Sequence, residues 1–164
     1  MKNFAIEIKW SLQFSILTIV WMILEKTFGL HDIHIDKQLI YTNLFALIAV
    51  PIFILTMLDK KKNFYKGNMD WKQGFISGAI LSIAIAVLSP VVNYMIYNCI
   101  TPDFFNHMIA YRIANHFQTE IQAKSYFNLH SYIMLGIFDA LSKGILTSAI
   151  IAHFIKTKND THEK

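Results

Sequence analysis

The sequence predicts an all-α fold, an integral membrane four-helix bundle with an amphipathic helix on the outer side between the third and fourth spans. Three observations carry this. Four apolar stretches are each long enough to cross a bilayer, which takes about 20 residues. A lysine-rich segment, Leu58 to Lys72, divides them into two hairpins and holds five of the fifteen Lys and Arg. Only 16% of residues are charged and 54% are hydrophobic, whereas a soluble domain carries about a quarter charged.

The first span is expected over residues 5–28. Its uncharged centre, Trp10 to Leu24, is short, so its flanks must complete the crossing, with Glu7 and Lys9 reaching for the inner interface. Trp10 and Trp21 fall near the two membrane faces, where indoles concentrate. The chain starts as a signal peptide would. However, no small-x-small cleavage site follows and Glu7 and Lys9 interrupt the run, so this is expected to be a retained span. Gly29 is placed to cap its C-terminus.

The second span is expected over 39–58, bent at Pro51. The third runs over 74–100 and contains Pro90. Within it Gly74, Gly78, Ser82 and Ala86 recur every fourth residue, a small-residue stripe that lets membrane helices approach closely. The fourth span, 129–155, repeats the pattern with Gly136, Ala140, Gly144 and Ser148. The two stripes are therefore expected to pack on each other. Residues 1–156 form one four-span domain and 157–164 a polar cytoplasmic tail.

Between the third and fourth spans, Thr101-Pro102-Asp103 reads as a helix start, with a hydroxyl cap and proline in the first position. Phe105, Met108 or Ile109, Ile113, Phe117 and Ile121 follow at helical spacing. This predicts one amphipathic helix, or two short ones, on the outer surface or capping the bundle.

Charge sets the expected orientation. With an even number of spans, one side collects Lys2, Lys9, Lys60, Lys61, Lys62, Lys66, Lys72, Lys156, Lys158 and Lys164. The other has Lys26, Lys37, Arg112 and Lys124. Ten against four places both termini in the cytoplasm. The net charge of +4 lies beside the ends of apolar runs, where topology accounts for it, so no nucleic-acid partner is expected. Cys99 is the single cysteine, which excludes an intrachain disulfide and a thiolate metal cluster.

Several segments resemble one family. They are Leu24-Glu25-Lys26-Thr27-Phe28-Gly29-Leu30-His31-Asp32, Tyr41-Thr42-Asn43-Leu44-Phe45-Ala46, Leu58-Asp59-Lys60-Lys61-Lys62-Asn63-Phe64-Tyr65 and Trp71-Lys72-Gln73-Gly74-Phe75-Ile76-Ser77-Gly78. Ile100-Thr101-Pro102-Asp103-Phe104-Phe105 and Tyr126-Phe127-Asn128 extend the likeness over roughly residues 1 to 156. Together they are similar to the bacterial membrane family catalogued as domain of unknown function 4199. The resemblance implies a small multi-pass protein of the bacterial cytoplasmic membrane. It implies no activity and transfers no site residue.

Two constellations could carry chemistry. Asp139 and Lys143 are four apart on one face of the fourth span, near mid-membrane by residue count. A charge there is costly, by ~3 kcal/mol on insertion scales. Inside the bundle such a pair would serve a substrate, a proton or a partner, or else lock helix packing. The outer-side histidines, His31, His34, His107, His116 and His130, could hold zinc only if they converged, and no helical His-Glu-x-x-His is present. No catalytic, cofactor-binding or metal residue is assigned, and Cys99 reads as an inert small hydrophobe.

Three functional classes remain. The leading one is a non-catalytic membrane interaction or accessory module, whose partners are the lipid bilayer and either a second copy (a homo-oligomer) or another membrane protein. The alternative is a small transporter or channel component using Asp139 and Lys143. The third is a membrane enzyme built on the outer histidines.

Overall fold

The computed structural model describes residues 4–157. The chain is all-α, with no strand among the described residues. Its long helices are α1 (Ala5–Thr27), α3 (Ala46–Asn63), α4 (Trp71–Met95) and α7 (Leu129–Ile155), with the short α2 (Gln38–Asn43) preceding α3. Two more, α5 (Phe104–Ala114) and α6 (Glu120–Tyr126), join α4 to α7. A π-helical turn, Ile96–Ile100, extends α4. Four helical stretches, Ala5–Thr27, Gln38–Asn63, Trp71–Ile100 and Leu129–Ile155, are long and apolar enough to cross a membrane.

Local chemistry explains the ends of these elements. Gly29 takes φ +72° after α1. The Leu30 amide then bonds to the Glu25 carbonyl and the Gly29 amide to that of Lys26, the paired bonds of a Schellman cap. Asp70 opens α4 with a capping box: its carboxylate accepts from the Gln73 amide, and Gln73 Oε1 accepts from the Asp70 amide. Asn128 caps α7 by accepting from the Ser131 amide at 2.9 Å. Pro90 cannot donate to the Ala86 carbonyl four residues back. The Ser89 hydroxyl donates to that oxygen instead, at 3.0 Å, which is how a proline is tolerated in a membrane helix.

The bundle is arranged around α4, which packs along α7 and also meets α1 and α3. At the end of the bundle that bears α5 and α6, called outer after the charge-based expectation, a core gathers Met22, Ile96, Tyr97, Phe104, Met108 and Phe127. At the opposite end, called inner, a core gathers Phe53, Met57, Met69, Leu81, Ile85 and Ile151.

The surface is inverted relative to a soluble protein. On α1, Glu7 is 0% and Ser11 1% exposed, while Leu12 is 50% and Ile16 60%. Glu7, Ser11, Ser15 and Glu25 turn inward and Leu12, Ile16, Val20 and Ile23 outward along the same helix. In water this would forfeit the hydrophobic effect; in hydrocarbon it is the stable choice, because lipid solvates aliphatic side chains and polar ones find partners inside.

The structure corrects several sequence expectations. Glu7 does not reach for the interface; it is buried against α3 and α4. The second span is broken at Leu44 and Phe45 into α2 and α3, and Phe45 packs its ring against Phe14 and Trp21. The basic segment is not all loop, since α3 continues through Lys60, Lys61 and Lys62 to Asn63. Thr101 makes no side-chain cap, and Asp103 occupies the N-cap of α5.

On the outer side two short helices form. Phe104 and Met108 of α5 and Ala123 of α6 are buried, whereas Phe117 is 57% and Ile121 82% exposed. Of the two expected forms, one helix or two short ones, the second is found, because α5 ends in a second Schellman cap. The Phe117 amide bonds to the Arg112 carbonyl and the His116 amide to that of Ile113, with His116 at φ +56°. Of the expected tail, only Thr157 is described; it exchanges backbone and hydroxyl bonds with Met69. Residues 158–164 lie outside the described residues.

Candidate functional site

The two small-residue stripes face each other across the α4–α7 contact. A methyl placed on Gly78 would overlap Ser148 and Met57, and one on Gly144 would overlap Ser82. Gly74 sits against Ala152, its position for a Cβ 3.2 Å from the Ala152 Cβ. Gly136 leaves room for the Asn93 amide. The pairing is antiparallel: Gly74, Gly78 and Ser82 run one way against Ala152, Ser148 and Gly144. Ser82 and Ser148 donate to carbonyls of their own helices, so they satisfy themselves and pack as small groups. Ala86 is buried and Ala140 packs on the inner core. The stripes are thus used within the chain.

The sequence reading missed two buried polar clusters. At the inner end, Lys60 lies 3.0 Å and 3.2 Å from the two Glu7 oxygens, and the Ser77 hydroxyl donates to Glu7 at 2.7 Å. This ties α1, α3 and α4 together. Beside it, Asp59 accepts from Lys9 at 2.6 Å and from the Trp10 indole at 2.8 Å. The Lys61 ammonium donates to the Ile155 carbonyl at the end of α7. Part of the lysine run therefore fastens helix ends rather than only marking topology.

At the outer end, Glu25 is 2% exposed. It accepts from the Trp21 indole at 2.5 Å and from the Thr42 hydroxyl at 2.8 Å, and His31 Nε2 stands 3.2 Å away. Gln38 in turn donates to the Thr42 hydroxyl. His107 Nδ1 donates to the His31 carbonyl at 2.9 Å, and the Phe104 ring meets the His31 ring edge-on at 5.1 Å. These contacts seat α5 as a lid over the outer end of α1. A sequence signal existed for both clusters: Glu7, Ser11, Ser15, Met22 and Glu25 share one helical face.

Of the histidines, His31 and His107 come together, but through a backbone carbonyl. Among the described residues no group of three His, Cys, Asp or Glu is arranged to hold a metal ion.

Asp139 and Lys143 form an ion pair with 2.5 Å between Oδ2 and Nζ. Their placement overturns the expectation of a site inside the bundle. Both point away from every other helix, with side chains 50% exposed for Asp139 and 72% for Lys143. The reason is rotational. The small residues Gly144 and Ser148 are drawn to α4, and Asp139, Ser142 and Lys143 are carried round to the opposite side of α7. There they stand among Leu135, Phe138 and Leu146, all exposed.

The chain matches the family described as Protein of unknown function (DUF4199) over residues 9–157. No curated protein and no solved structure matches it.

Proposed function

We propose, because this chain belongs to the DUF4199 family of proteins of unknown function, that it is a non-catalytic interaction or accessory module of the bacterial cytoplasmic membrane, with both termini in the cytoplasm. The observation that carries the reading is the Asp139–Lys143 pair, half or more exposed on the outward face of α7. The pair is centred on a 27-residue apolar helix. Each charge lies about 15 Å or more from either helix end at 1.5 Å per residue. A lysine side chain cannot span that distance to the interface. In lipid, charged groups at this depth turn to protein or to a water-filled cavity. Facing outward, the pair is positioned for a neighbouring protein.

The interior supports the same reading. Glu7 is matched across helices by Lys60 and Ser77, and the hydroxyls of Ser11, Ser15 and Thr56 are bonded to their own backbones. The bundle is held shut by its own polar groups, which suits a rigid scaffold. The transporter alternative needs the mid-membrane pair to face an internal route, and the pair faces outward.

The test is chemical crosslinking in intact membranes, followed by identification of what is joined to the chain. Covalent adducts above the monomer mass are expected. Recovery of the monomer alone, under conditions that trap control complexes, would count against association.

A further inference from the structure

We propose that the outward face of α7 docks a second copy of this chain, related by a two-fold axis along the membrane normal, with Asp139 and Lys143 of the two copies forming one four-charge layer. This rests on the association reading above and names its partner.

The argument begins from topology. Copies inserted by the same charge rule share one orientation, so a closed pair has its two-fold axis perpendicular to the membrane. Under that axis the two α7 helices run parallel, and each residue meets its own counterpart at the same depth. Leu135, Asp139, Ser142 and Leu146 are spaced four, three and four. That is the seam of a two-stranded coiled coil. Ser142, half-way along, is small enough to let the backbones approach.

Charge complementarity then selects the occupant. Lys143 lies one turn beyond Asp139, and helical side chains lean toward the N-terminus. The ammonium therefore sits at the depth of the carboxylate, as the 2.5 Å pair within one chain demonstrates. Across a two-fold axis, two carboxylates and two ammoniums fall in a single layer and can alternate. Each carboxylate then accepts from its own lysine and from the other copy's. The patch is neutral and complementary to itself, whereas a purely apolar neighbour would leave it unsatisfied. A lone polar layer in such a seam also fixes register.

The experiment uses the full chain in native membranes with Cys99 replaced by serine, because the native thiol is exposed. Single cysteines are placed at Ser142 or Leu146, and at Ile16 on the lipid-facing side of α1 as a control. Disulfide formation is then driven with iodine, which partitions into hydrocarbon and oxidises two thiols to one disulfide with release of two equivalents of HI. The expected result is a product of twice the chain mass from Ser142→Cys and Leu146→Cys and none from Ile16→Cys. Adding Asp139→Asn with Lys143→Gln should cut the product roughly three- to twentyfold, the range given by membrane hydrogen bonds. That double variant removes charge from lipid, so it retains membrane insertion. An adduct with a different protein and no doubled product would overturn the second copy while leaving association standing. Monomer alone at both positions would overturn the second copy on this face, whereas association itself falls only if the crosslinking described above also recovers monomer alone. A doubled product undiminished by the neutral double variant would overturn the charge layer.

Discussion

Glu7 and Glu25 stand eighteen residues apart, about five helical turns, and so project from the same side of α1. Each is buried and each has its own set of donors, Lys60 and Ser77 for one, Trp21 and Thr42 for the other. Burying a carboxylate is tolerable only when its lone pairs and charge are met. Removing one member of such a pair takes from the other its charge-bearing neighbour in a buried setting. Glu7→Gln is therefore expected to destabilise the bundle by about 3 kcal/mol or more. Glu7→Leu combined with Lys60→Leu should cost far less, since both desolvation penalties disappear together. Thermal unfolding in a mild detergent reads the difference. Equal losses in the single and double variants would show that the pair does not act as a unit.

Among the elements, α4 and α7 form the tightest contact, because glycine on one helix faces serine or alanine on the other. The spacing of small residues every fourth position is visible in the chain. Which glycine opposes which serine is not, because it depends on how far one helix slides along its partner. Here Gly78 meets Ser148 and Gly144 meets Ser82. Gly78→Ala should destabilise by roughly 1–3 kcal/mol through overpacking. Adding Ser148→Gly should recover part of that loss, because it clears the space the new methyl needs. A double-mutant cycle reporting strict additivity would place the two residues apart. The same rotation that turns Gly144 inward turns Asp139 and Lys143 outward, so the placement of the charged pair follows from the helix packing.

For the molecule as a whole, Lys60, Lys61 and Lys62 lie in the last turn of α3, and the orientation proposed above puts that end in the cytoplasm. A membrane-impermeant thiol reagent should label a cysteine at Gly67 only after the inner face is opened. A cysteine at Gln118, beyond α5, should be labelled from outside in intact cells. The opposite pattern would invert the topology and move the α5–α6 lid to the cytoplasm. Because α1 buries Glu7, Ser11, Ser15 and Glu25 and exposes Leu12, Ile16, Val20 and Ile23, the purified chain should also require detergent to remain monodisperse.

From residues alone, the number of spans, their approximate limits, the cap at Gly29 and the paired small stripes could all be read. These depend on local periodicity, capping chemistry and total apolar length, which act along the chain. The partners of Glu7 and Glu25, the role of Lys60 and the outward aim of Asp139 and Lys143 could not. They depend on the rotation and sliding of each helix about its own axis. Those are set where the glycine and serine surfaces of α4 and α7 close on one another, by contacts between residues roughly 60 to 80 positions apart in the chain.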